Sequence, residues 1–186
     1  MQTPAKYTVI HRLLHWIMAL ALPILYITGF LRLYWMNKHH IVSVIEGVTN
    51  TLSKEQMTEI AKTIRAPMWE WHEVFAKVMI VAFIARIIYM LTKGIRFPNP
   101  FKSNIALKER LQGLTYVYFY LIVLISAFTG ICIEKDFLSA YMDNIEAIHK
   151  LGIYWFPVFI VLHLVGIAIA EISDKKGIAS KMIGGD

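Results

Sequence analysis

Four histidines, His15, His72, His149 and His163, carry the chemistry that this sequence can do. An imidazole is expensive in hydrocarbon, and where one lies in a membrane segment it marks function. Two of them sit on one apolar stretch, HKLGIYWFPVFIVLHLVG, residues 149 to 166. Fourteen helical residues rise about 21 Å and turn about 1400°, roughly 40° short of four turns. His149 and His163 are therefore expected to point the same way, one near each face of a bilayer.

The elements that must position them follow from composition. The 186-residue chain is 57% hydrophobic and only 17% charged, more apolar than a soluble domain of this size needs. One cysteine, Cys132, leaves no disulfide framework and no cysteine metal site, and the absence of C-x-x-C-H excludes covalently attached haem. Cys132 reads as a small apolar packer. Four stretches approach the ~20 residues a span requires: Leu13 to Tyr34, His72 to Leu91, Leu114 to Ile133 and Ile148 to Ala170. Buried backbone must satisfy itself, so each is expected to be helical. Aromatic residues gather at their ends, as at a membrane interface: Tyr34 and Trp35, Trp69 and Trp71, Tyr116 and Tyr118, Tyr154 and Trp155. The first apolar run is too long for a cleaved signal and reads as an anchor. The expected fold is all-α, one domain over residues 1–186: a membrane-spanning four-helix bundle with a long helical extracytoplasmic loop between helices one and two.

An even number of spans puts both termini on one side. That side, residues 1–12, 92–113 and 171–186, carries 10 Lys/Arg against 4 Asp/Glu; the other, residues 32–71 and 134–147, carries 6 against 8. The basic excess places both termini in the cytoplasm. Two prolines in TKGIRFPNPFKSNIALKER mark the break between spans two and three. In the outer loop, SKEQMTEIAKTIRAP reads as a short amphipathic helix. Ser53 and Gln56 would form its capping box, Met57, Ile60, Ala61 and Ile64 its apolar face, and Pro67 its stop. It either lies on the bilayer surface or serves as a docking platform for an extracytoplasmic partner. Spans one and three share a Thr-Gly pair, Thr28-Gly29 and Thr129-Gly130, small residues that let a helix or a flat ligand come close.

Depth sorts the histidines. His15 and His163 fall at the cytoplasmic level, His72 and His149 at the outer level, and His39 and His40 in the outer loop. Each level thus has two imidazoles from two helices, a ready axial site for a haem iron. His11, one turn before His15 and on a similar face, is an alternative ligand; His15 is deeper and matches His163 better. Fourteen residues after His15 comes Gly29, where the missing side chain makes room at the outer haem. Fourteen after His72 comes Arg86, at the cytoplasmic level. Arg86 either pairs with a haem propionate or snorkels to the headgroups. Arg12 and Lys77 are further candidates for a propionate.

The motifs RLLHW (Arg12 to Trp16), WHE (residues 71–73), IHKLG (148–152) and HLVG (163–166) resemble the bacterial four-helix membrane di-haem cytochromes b. That family includes the cytochrome b subunits of nickel-iron hydrogenases and formate dehydrogenases, and superoxide oxidase. The ending DKKGIASKMIGGD is similar to that of members encoded beside other redox proteins. The resemblance implies two non-covalent haems b, held by His15 with His163 and by His72 with His149, in a bacterial inner membrane. The long first outer loop is a departure from shorter members.

The expected function is electron transfer between an extracytoplasmic redox subunit or cytochrome and the membrane quinone pool, as a subunit of a quinone-linked oxidoreductase. Alternatives are a self-contained superoxide:quinone oxidoreductase and a non-redox membrane metal-binding or transport protein. Nucleotide and hydrolytic motifs are lacking, and the basic loop is a topology signal that calls for no nucleic acid.

Overall fold

The structure, a computed structural model, describes residues 7–95, 97–173 and 177–184. The chain is all-α, with no strand among the described residues. Helix α1 is Val9–Phe30 and continues as a π-helical turn, Leu31–Trp35. Then come α2 (Lys38–Val48), α3 (Lys54–Lys93), α4 (Leu107–Glu134), a 3-10 turn (Ser139–Tyr141), α5 (Met142–Lys150), α6 (Gly152–Ile172) and α7 (Ile178–Ile183). Four segments are long and apolar enough to cross a membrane: Val9–Trp35, Lys54–Lys93, Leu107–Glu134 and Ser139–Ile172. Their outward residues are large and apolar, Leu91 at 77% and Ile172 at 82% exposure among them. Such a surface is unsuited to water and suited to lipid.

The chain divides into two compact units, Ile17–Val81 and Met1–Trp16 with Ala82–Asp186. In the first, the outer loop is more ordered than expected. Asn37 caps α2 by accepting from the His39 backbone N–H at 2.8 Å. Ser53 and Gln56 form the expected reciprocal box: Gln56 Oε1 accepts from Ser53 N–H at 2.8 Å, and Ser53 Oγ from Gln56 N–H at 3.3 Å. Pro67, however, does not stop the helix. It lies inside α3, which runs unbroken from the loop into span two. The expected stop fails because a proline removes one hydrogen bond, whereas Met57 and Ala61 are buried against Val42, and that packing anchors the loop end of α3. The apolar face is also narrower than expected: Met57 and Ala61 are buried, while Ile60 and Ile64 are exposed. Arg32 stacks over Trp69, 4.5 Å from the ring centroid.

In the second unit α4 packs against α5 and α6, and α6 against α7. The loop around Pro98 and Pro100 comes so close to α4 that a Cβ at Gly113 would lie 2.4 Å from the Pro98 carbonyl oxygen, a contact only glycine permits. Cys132 is buried, as a packer should be. The fourth span is not one straight helix. It is jointed at Leu151, where Leu151 N–H bonds Ile148 O and Tyr154 N–H bonds Leu151 O, both i to i+3. His149 thus lies in the last turn of α5 and His163 on α6, so the fourteen-residue count crosses a tightened turn. Glu171 caps α7 by accepting from the backbone N–H groups of Gly177 and Ala179, each at 2.7 Å. Of the basic residues counted for topology, Lys6, Arg96, Lys175 and Lys176 lie outside the described residues, as does part of the C-terminal motif.

Candidate haem site

At the start of α1, His15 faces His163 of α6, ring centroids 6.1 Å apart and planes inclined by 44°. Phe159, one turn before His163, stacks on its imidazole at 5.4 Å and itself meets Phe119 of α4 at 4.5 Å, which fixes the ring's direction. Two imidazoles from two helices thus stand face to face. At this separation a single metal ion could stand between the two rings, so His15 and His163 would be the residues to hold a haem iron. His11 is placed differently. It is buried, stacks on Tyr7 at 5.1 Å and meets Tyr89 edge-on at 6.2 Å. Thr8 and Tyr89 are hydrogen-bonded beside it.

His72 and His149 have matching surroundings in their separate units. His72 Nδ1 is 2.9 Å from Thr28 Oγ1, and its ring stacks on Trp69. His149 Nδ1 is 3.0 Å from Thr129 Oγ1. Gly29 lies beside the His72 ring and Gly130 beside that of His149. Gly29 was expected to face a haem; its nearest neighbour outside its own helix backbone is the histidine. Among the described residues no group of three or more His, Cys, Asp or Glu side chains gathers as a bare metal ion would require. The donor set that His15 and His163 offer is a pair of imidazoles, the kind that would suit a haem iron, which has four nitrogens of its own.

The family model of the prokaryotic cytochrome b561 matches residues 6–185. The chain belongs to this family. No curated protein and no solved structure matches it. It is a membrane haem b electron-transfer protein, and its four apolar helices are those of a cytochrome b561.

The remaining polar residues of this cytochrome b561 sort by their contacts. Arg86 on α3 is buried, 9% exposed, and its Nε donates to the Tyr120 hydroxyl at 3.0 Å. It points inward and does not snorkel. Its charge also acts on the Tyr7 phenol. Outside the spans, burial raises the Tyr7 phenol above its ordinary pKa; Tyr116 adds to this and Arg86 opposes it. Arg12 donates to the Ile183 carbonyl at 3.2 Å, next to Trp16, whose Nε1 donates to the Met182 carbonyl at 3.1 Å; both tie α7 to the start of α1. Arg12 Nε is buried without a partner among the described residues. Lys77 is paired with Glu73 at 2.8 Å and is 61% exposed.

Sequence reasoning missed Tyr120 and undervalued the threonines. Tyr120 is one of several aromatic residues on α4, and nothing in its spacing separates it from them. Thr28 and Thr129 were legible only as small residues; the shared Thr-Gly pair was the available signal.

Proposed function

We propose that this cytochrome holds two haems b and passes electrons between an extracytoplasmic redox partner and the quinone pool. His15 with His163 would hold the cytoplasmic haem and His72 with His149 the outer one; each haem supplies one-electron exchange at its iron. The observation that carries the reading is the 6.1 Å His15–His163 pair. The same geometry favours His15 over His11 as the ligand, since His11 is enclosed by Tyr7 and Tyr89. The second pair rests on matched depth in the sequence. Arg86, buried and bonded through Nε alone among the described residues, suits a propionate. Arg12 and Lys77 are weaker choices, because their contacts serve α7 and Glu73. We place both termini in the cytoplasm of a bacterial inner membrane, and the whole chain acts as one domain.

A groove of about 480 Å³ supports the quinone side of the proposal. It is lined by Met90, Phe97, Pro98, Phe101, Val117 and Tyr120. The Tyr120 hydroxyl accepts from Arg86 and donates to Met90 Sδ at 3.2 Å, a weak acceptor that a quinone carbonyl would outcompete.

A pyridine haemochrome assay of the purified protein tests the reading: two haems b per chain, both low-spin, are expected, and one haem per chain would overturn it. Mixing the oxidised protein with superoxide and a quinone tests the partner. Slow haem reduction, accelerated by a co-purifying redox subunit, supports the subunit reading. Rapid reduction and quinol formation without a partner would favour the self-contained enzyme.

A further inference from the structure

The same two-residue device meets each outer histidine. Thr28 Oγ1–H donates along its own helix to Ile24 O at 2.7 Å, with Leu25 O at 3.1 Å. Thr129 Oγ1–H donates in the same way to Ile125 O at 2.7 Å, with Ser126 O at 3.2 Å. A hydroxyl has one proton and two lone pairs. Once that proton is given to a carbonyl, the hydroxyl can only accept from the imidazole. The proton of His72 is therefore on Nδ1, and so is that of His149. The glycine that follows each threonine lies at the next ring atom. A Cβ at Gly29 would sit 3.7 Å from His72 Cε1, and one at Gly130 only 3.2 Å from His149 Cε1. Threonine holds the ring by Nδ1, and glycine leaves the space in which it stands.

We infer that Thr28 and Thr129 are positioning residues that fix the Nδ1-protonated tautomers of His72 and His149 and present Nε2 to the iron of the outer haem. This rests on the di-haem reading above. An acceptor behind Nδ1–H gives the ring imidazolate character and makes Nε2 a stronger donor, which favours the ferric iron. The two threonines thereby hold the outer haem at a lower potential than bare imidazoles would. The device appears twice, in two separately packed units and on two different helices, from one sequence pair.

The test is a redox titration of the purified holoprotein, with the electron paramagnetic resonance of the ferric haems, for wild type, Thr28→Val, Thr129→Val and the two Thr→Ser variants. The valine variants are expected to raise the midpoint potential of one haem and alter its low-spin signal, leaving the other haem unchanged. Loss of that haem on the order of 10-fold on purification is the stronger form of the same outcome. Serine keeps the hydroxyl and should restore potential, signal and occupancy. Unshifted potentials in valine variants that retain both haems, or losses that serine does not restore, would overturn the inference. The underlying reading fails separately: it falls if the wild type carries one haem, or if His72→Ala and His149→Ala do not remove the same haem.

Discussion

Arg86 of α3 and Tyr120 of α4 form a part-buried pair, Nε to hydroxyl at 3.0 Å, and α4 carries no histidine. On the reading above, this cation would stand beside the cytoplasmic haem. For any two unit charges ~10 Å apart at an effective dielectric of ~20, the interaction is about 1.7 kcal/mol, on the order of 70 mV for one electron. A nearby cation favours the reduced haem. Arg86→Gln is expected to lower the potential of the cytoplasmic haem by that order, read by redox titration, with the outer haem unmoved.

His15→Ala and His163→Ala should each remove the same haem, and His11→Ala should keep both. Haem content and the reduced spectrum of each purified variant decide this. Retention of both haems by His15→Ala, with loss in His11→Ala, would move the ligand by one turn.

The glycines beside the outer histidines differ in tightness. A methyl at Gly130 meets the His149 ring at 3.2 Å, closer than ordinary contact, whereas one at Gly29 meets His72 at 3.7 Å. Gly130→Ala should therefore disturb the outer haem's low-spin signal, and Gly29→Ala should leave it nearly intact. Equal effects would show that room for the porphyrin, and not for the ligand ring, governs both positions.

The outer loop should respond to its cap. Ser53→Ala removes one half of the reciprocal box and should cost about 1 kcal/mol, seen as faster amide exchange in the first turn of α3. Ala61→Leu is the harsher change. Ala61 is fully buried in the cluster with Val42 and Met57, and overfilling such a site costs about 1–3 kcal/mol. A lowered thermal midpoint checks it.

Topology is open to direct test. A reporter that works only in the cytoplasm, fused after Asp186, should be active. A cysteine placed at Lys38, at the start of α2, should react with a thiol reagent that cannot cross the membrane. The reverse pattern would invert the direction of the protein in the bilayer.

The sequence by itself determined the class of the protein. Spans are written by length and hydropathy because lipid imposes one requirement, internally bonded backbone, on every stretch that enters it. The histidines were legible for the same reason: an imidazole in hydrocarbon stands out against its neighbours. The Ser53–Gln56 cap was legible because it is closed within four residues. Tertiary structure decided what depends on partners far along the chain. Pro67 stays helical because Met57 and Ala61 bury against Val42, and no local propensity encodes that contact. The fourth span is jointed at Leu151 where a plain apolar count predicts a straight rod. His11 and His15 are one turn apart and alike in sequence; only packing puts Tyr7 and Tyr89 around one and His163 before the other. Thr28 and Thr129 read as small residues until the fold brings an imidazole to each hydroxyl, because a hydrogen bond between helices is set by where the second helix lies, and single-helix periodicity carries no record of it.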